Sequence, residues 1–248
     1  MDDLNKFVLA VLLVVPVAHC AIPSYIKVCP RSHQNLSACI TNSIEALKPY
    51  LAKGIPKLDV PGLEPLDLET IVIDSLGSGT RLATNISNLE VYGASDFTIL
   101  KLTPTMTKKG YNFRFQVNVP RLRVSGMYEL DSRILFLDLK GQGPFHANIS
   151  DYHFECIMKG HQVRREERNY LEFEDMKCTL VVGGVSVRLE NLFESNPTLA
   201  KATNDVINDN VQVLFDEIKP GLLKALTRRF TEIANKITLA FTYEELFP

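Results

Sequence analysis

Arg121-Leu122-Arg123-Val124-Ser125-Gly126-Met127-Tyr128-Glu129-Leu130 alternates polar and apolar positions, with Leu122, Val124, Gly126, Tyr128 and Leu130 all on one face. A period of two over this length predicts a strand with one buried and one wet side. Immediately upstream, Phe113, Phe115, Val117 and Val119 alternate with Arg114, Gln116 and Asn118 in the same way. Downstream, Asp131-Ser132 reads as a tight turn, which places Leu135, Leu137 and Leu139 opposite Tyr128, Gly126 and Val124 on the apolar face. The period of two holds from about Leu68 to Leu189, so the middle of the chain is expected to form a long one-sided antiparallel sheet.

Helical spacing brackets this sheet. Ile40, Ile44, Leu47 and Leu51 predict a helix from about Leu36 to Lys53, with Gly54 as its stop. Pro56, Pro61 and Pro65 then hold the chain extended. At the far end, Asn196 suits an N-cap and Pro197 the first helical position. Leu199, Ala202 and Val206 follow, then Leu214, Ile218, Leu222, Leu226, Phe230, Ile233, Ile237 and Phe241. Pro220-Gly221 is expected to kink or divide this helix. Steps of mostly four residues advance an apolar stripe by about 40° each, so it winds around the helix. That pattern suits a helix enclosed by a curving sheet. The expected class is α+β: a long C-terminal helix wrapped by a strongly curved antiparallel sheet.

The chain has 248 residues, 46% apolar and 23% charged, which is the composition of a folded protein and not of a disordered one. Its 27 basic and 29 acidic residues leave a net charge of −2, no electrostatic footprint for nucleic acid or anionic membrane. The apolar run Phe7 to Ala18 is too short to span a bilayer but has the length of a signal-peptide core. Ala18 and Cys20 fit a cleavage site before Ala21. Residues 1–20 are therefore expected to be a signal peptide and 21–248 a single secreted domain, not integral to a membrane.

Four cysteines remain after that cleavage: Cys29, Cys39, Cys156 and Cys178. An even count in a secreted chain suggests two disulfides, with three connectivities open. A hairpin centred on Glu167 pairs Cys156 with Cys178, and directly opposed positions on one face can be bridged; two free buried thiols are the alternative. Asn35, Asn85 and Asn148 each open an Asn-x-Ser sequon, whereas Asn196 is excluded by Pro197. Asn148 and Asn85 both alternate with apolar neighbours and so are expected on the wet face.

Catalytic signatures are absent. The sequence contains no Gly-x-Ser-x-Gly elbow and no His-Glu-x-x-His, and Gly77-Ser78-Gly79 and Gly141-Gln142-Gly143 do not continue into phosphate loops. His33, His146, His153 and His161 lack metal-ligand spacing. No catalytic residue, metal or cofactor is expected. Glu166-Glu167 among Arg164, Arg165 and Arg168 reads as a solvated turn. What the pattern does supply is apolar surface. A sheet that wraps its helix incompletely leaves an elongated hydrophobic tunnel, and burying about 400 Å² of apolar ligand there is worth on the order of 10 kcal/mol before association costs. A solidly filled core is the alternative.

Cys29-Pro30 with Cys39, followed by Lys53-Gly54-Ile55-Pro56-Lys57-Leu58-Asp59-Val60-Pro61-Gly62-Leu63-Glu64-Pro65-Leu66, resembles the N-terminal signature of the insect takeout and juvenile hormone-binding proteins. Gly126-Met127-Tyr128, Gly141-Gln142-Gly143 and the ending Tyr243-Glu244-Glu245-Leu246-Phe247-Pro248 are similar to that family's middle and C-terminal segments. Two positions depart from it. Ser132 stands where takeout-like sequences carry a turn glycine, and the helical partner cysteine of the hormone carriers is missing, so the chain resembles the takeout branch more. The resemblance implies the tubular lipid-binding fold, with its lengthwise hydrophobic tunnel, and a secreted, non-enzymatic carrier of a small lipophilic ligand; the chain is expected to be a monomer. The resemblance also implies a link to circadian or feeding behaviour. The first cysteine pair, Cys29 with Cys39, matches the family.

The residues expected to line the tunnel are those on the apolar phase: Phe113, Phe115, Val117, Val124, Tyr128, Leu135, Leu137 and Leu226. Tyr128 is the candidate polar anchor, against the alternative of a core tyrosine bonded to backbone. A secreted interaction protein using the fold without a ligand is the competing function, and a secreted hydrolase a third.

Overall fold

A computed structural model describes residues 22–248 except 69, 78–79, 108–109, 135–136 and 194–195, with backbone alone at 74–77, 80–82, 134, 137 and 138. The expected signal peptide lies outside the described residues. Helix α1 spans Leu36–Lys53, capped by the Asn35 side chain, which accepts from the Ala38 N–H. Gly54 ends it at φ 85°, a left-handed backbone open to glycine. A short 3₁₀ turn at Pro56–Leu58 and a cis Glu64–Pro65 bond then carry the chain into the sheet.

Among the described residues eight strands follow: β1 Leu66–Leu68, β2 Ile71–Gly77, β3 Thr80–Tyr92, β4 Thr98–Thr107, β5 Gly110–Ile134, β6 Leu137–Arg165, β7 Arg168–Phe173 and β8 Lys177–Leu189. All pairings are antiparallel. The order β1-β3-β5-β6-β7 forms the spine, with β2 on β3, β4 on β5 and β8 on β6, and the curved sheet does not close. The β5–β6 hairpin runs from Tyr111↔Gly160 to Ile134↔Leu137 in one register. Its N-terminal half in β5 pairs with β4 and its C-terminal half with β3.

A crease crosses the sheet between these halves. Val119 and Leu122 both face inward, whereas Pro120 and Arg121 between them are exposed. The partner strands switch phase at the same level: Ile149 and Tyr152 face inward around exposed Ser150 and Asp151, and Val182 and Val185 are more buried than Gly183 between them. Asp151 takes a left-handed φ of 49°. The absent side chains of Gly183 and Gly184 matter here, because a Cβ would stand 2.8 Å from Asp151 Cβ or 2.9 Å from Ser150 Oγ.

The turn expected at Asp131-Ser132 is not there, and the ladder runs on to Ile134↔Leu137. Ser132 is a buried strand residue whose hydroxyl donates to the Ala83 carbonyl and accepts the Ala83 N–H, each at 2.9 Å. Tyr128, Gly126 and Val124 accordingly oppose Gly143, Phe145 and Ala147. The faces hold, because a shift by an even number of residues keeps every side chain on its side.

The second hairpin turns at Glu166 and Glu167, both left-handed, which matches the twist of a two-residue hairpin turn. A break at residues 174–176 separates β7 from β8, and Cys156 opposes Cys178 across the β6–β8 ladder. The two are bridged with Cα atoms 4.1 Å apart, and Cys29 is bridged to Cys39 at 5.8 Å.

The C-terminal helices are α2 Pro197–Asp209, α3 Val211–Thr238 and α4 Tyr243–Leu246. Pro197 opens α2 behind the Asn196 cap as expected, but the division falls at Asn210 and α3 continues past Pro220-Gly221. Three asparagines fix these helices to strand backbone by paired bonds. Asn204 engages the N–H and carbonyl of Leu189, Asn208 those of Val187, and Asn235 those of Phe173, at 2.7–3.0 Å. Each amide acts as one rung of a neighbouring strand, so β8 and β7 present less unpaired backbone at the sheet edge.

Candidate functional site

On the C-terminal side of the crease, the inward residues of the sheet do not meet the helices everywhere. They leave a cavity of about 210 Å³. Val124, Tyr128 and Leu130 of β5 and Phe145, Ala147 and Ile149 of β6 form its floor. Ile71, Ile73, Ile86 and Val91 close one side and Val185 and Val187 of β8 the other. Phe215, Ile218, Leu222 and Leu226 of α3, with Ile207 of α2, form the roof.

Among the described lining residues only Thr84, Tyr128 and Tyr152 carry a polar side-chain atom. Thr84 donates to the Glu129 carbonyl at 3.0 Å. Tyr128 lines the cavity as expected, but its hydroxyl donates to the Glu190 carbonyl at 2.6 Å and is not the free anchor the pattern suggested. The Tyr152 side chain is 2% exposed, and no hydrogen bond to its hydroxyl is found among the described residues. Burial holds its phenol well above the usual tyrosine range, so it stays a neutral donor. Tyr152 was missed because it lies beyond the crease, where the β6 phase has switched.

The other expected lining residues divide by position. Val124 and Leu226 line the cavity. Phe113, Phe115 and Val117 are not among its lining residues: they lie on the N-terminal half of β5 and pack into the core there. Phe113 stands edge-on to Phe173 with ring centroids 5.5 Å apart, and Tyr111 beside it meets Tyr243 of α4 at 5.1 Å. Here α1 covers β4 and α4 covers β7. The C-terminal tail ties down the same end, with the Cys29 N–H donating to the Leu246 carbonyl and the Arg31 N–H to the Pro248 carbonyl. Leu135 and the side chain of Leu137 lie outside the described residues.

Asn35 and Asn148 are exposed, and Asn85 is half-buried, its amide oxygen without a hydrogen-bond partner. Among the described residues no group of three His, Cys, Asp or Glu side chains is arranged to hold a metal ion, and no helix is long and apolar enough to cross a membrane.

The model of the family described as "Haemolymph juvenile hormone binding protein" matches residues 8–248. The chain is 25% identical over 231 residues to the "Circadian clock-controlled protein daywake" of Drosophila yakuba, covering 91% of this chain and 88% of that one. It is 24% identical over 220 residues to the "Putative beta-carotene-binding protein" of Schistocerca gregaria, covering 88% and 86% respectively. Among solved structures, Takeout 1 of Epiphyas postvittana superimposes with a TM-score of 0.77 at 20% identity, over 90% of this chain and 99% of that one, a likeness of fold. The family match spans nearly the whole sequence, and the chain belongs to the haemolymph juvenile hormone binding protein family.

Proposed function

We propose, with that membership as the premise, that the chain is a secreted, non-enzymatic, monomeric carrier of an elongated lipophilic ligand of terpenoid, quinone or fatty-acyl type. The observation that carries this reading is the apolar cavity roofed by α2 and α3. Val124, Tyr128, Phe145, Ala147 and Leu226 contact the ligand, and Tyr152 supplies a hydroxyl that has no partner among the described residues. No bond need be made or broken there, so the site requires shape and apolar surface and no acid–base pair. The Schistocerca gregaria relative, named for beta-carotene binding, favours a terpenoid. The clock-controlled Drosophila relative favours a circadian or feeding output. Removal of residues 1–20 leaves one domain with two disulfides, as suits an oxidising extracellular setting.

The test is direct titration of protein secreted from insect cells with fluorescent fatty-acyl, quinone and terpenoid probes, beside the variant Ala147→Phe, whose added ring occupies the cavity. At least one probe binds the parent saturably, and the variant binds it at least ten-fold more weakly with its fold intact. Failure of all three probes to bind the parent overturns the reading.

A further inference from the structure

The crease that divides the inner face also shapes the outer one. Its wet side holds a groove of about 880 Å³ lined by Tyr92, Arg121, Arg123, Asn148, Ser150 and Ser186. The cross-strand register sets four of these in one row, Tyr92↔Arg123↔Asn148↔Ser186, across β3, β5, β6 and β8. Asn148 opens the sequon Asn148-Ile149-Ser150 at the centre of that row; it is exposed, and its amide makes no hydrogen bond among the described residues. Arg123 and Ser186 flank it directly, at the spacing of opposed side chains, and Tyr92 stands two strands or about 10 Å away. The Arg123 guanidinium lies 5.9 Å from the centre of the Tyr92 ring, and among the described residues neither Arg121 nor Arg123 is in an ion pair. Gly183 and Gly184 contribute no side chains to the floor on the far side.

We infer that Asn148 carries an N-linked glycan and that the groove holds its first sugars. The chemistry of the walls fits a neutral saccharide. Guanidinium and hydroxyl donors meet sugar oxygens, Glu64 and Asp96 accept from sugar hydroxyls, and the Tyr92 ring with the apolar surface of Leu122, Ile149 and Val185 meets sugar C–H faces. The length of two sugars spans the distance from Asn148 to Tyr92. Attachment forms a bond between Asn148 Nδ2 and C1 of N-acetylglucosamine while the C1–O bond to a lipid-diphosphate donor breaks. The lipid diphosphate leaves and the amide proton passes to the transferase. The other sequons sit differently: Asn35 is an exposed helix cap, and Asn85 lies half-buried between β2 and β5. The inference rests on the secretory reading, since only a chain entering the secretory pathway meets such a donor.

The experiment uses the full chain with its leader, expressed in insect cells. Peptide mass spectrometry reads occupancy at Asn148, and a time course of peptide:N-glycanase digestion reads glycan accessibility in folded and unfolded protein. The expected result is an occupied Asn148 whose glycan is released at least ten-fold more slowly from folded protein. The exposed-face double variant Tyr92→Ala with Arg123→Ala removes that difference, and Ser150→Ala removes the glycan. Secreted, disulfide-bonded protein with a bare Asn148 overturns the inference and leaves the carrier reading standing. So does a glycan released equally fast from both states, as regards the groove. Cell-retained chain with residues 1–20 uncleaved overturns the secretory reading and this inference with it.

Discussion

Tyr152 and Tyr128 sit on adjacent parts of one cavity wall, yet they differ in what their hydroxyls do. The Tyr128 hydroxyl is held by the Glu190 carbonyl, so its contribution is to the wall and the β5–β8 connection. Tyr152 has no such partner among the described residues, so its replacement by phenylalanine removes no hydrogen bond seen in the folded chain. Tyr152→Phe is therefore expected to leave the melting temperature unchanged or raised. It should weaken binding of a ligand bearing an ether or carbonyl oxygen by about five- to ten-fold while leaving a matched hydrocarbon unaffected; paired titrations of the two ligands check this. The same burial decides pH dependence. Folding pushes the phenols of Tyr128, Tyr152 and Tyr243 above their ordinary value near 10. Groups raised in this direction contribute stability that is fully present below the unfolded pKa and lost as pH rises through the folded one. Both ligand affinity and thermal stability should stay flat from about pH 6 to 9, with stability falling above about pH 10, as a melting series across that range would read.

At the level of elements, the asparagine clamps explain how helices are held to a sheet whose edge strands would otherwise offer free backbone. Removing one amide leaves an N–H and a carbonyl of a half-buried strand without partners. Asn208→Ala should cost about 2 kcal/mol, a fall of roughly 4–8 °C in Tm by calorimetry, whereas the exposed Lys201→Ala should cost less than about 0.5 kcal/mol. None of this was legible beforehand, because an asparagine at helical spacing looks like any polar surface residue until the strand beneath it is known. The strands themselves were legible. Both apolar phases of β5 stand in the sequence, and so does the β6–β8 pairing that brings Cys156 to Cys178. The position of the first hairpin turn was not, since period-two patterning is blind to shifts by an even number of residues, and Ser132 looked like a turn residue while acting as a ladder partner for Ala83. The helix boundary at Asn210 was likewise masked by Pro220, whose missing N–H the long helix tolerates.

For the whole molecule, the cavity lies mostly on the C-terminal side of the crease and reaches across it to Val119, Tyr152 and Phe154. Sequence alone cannot say on which side it lies: Phe113 and Val124 carry the same alternation, but α1, α4 and the C-terminal tail cover only the first. Hence Phe113, Phe115 and Val117 pack into the core without lining this cavity, while Val124, Tyr128 and Leu226 meet it. The Cys156–Cys178 bridge spans β6 and β8 near this boundary and closes a loop of 22 residues. Replacing both cysteines by serine is expected to lower stability by about 3 kcal/mol on the loop-entropy scale, measurable by urea unfolding. Ligand occupancy should offset part of that loss, because a molecule that binds only the folded chain stabilises it by mass action.

The most direct measurement is native mass spectrometry of the protein as secreted from eukaryotic cells, with no ligand added, beside Ala147→Phe. A carrier built on this cavity travels with a discrete extra mass that organic solvent releases and that the variant lacks. Protein that emerges empty and stays empty when offered terpenoid, quinone and fatty-acyl compounds would contradict the account.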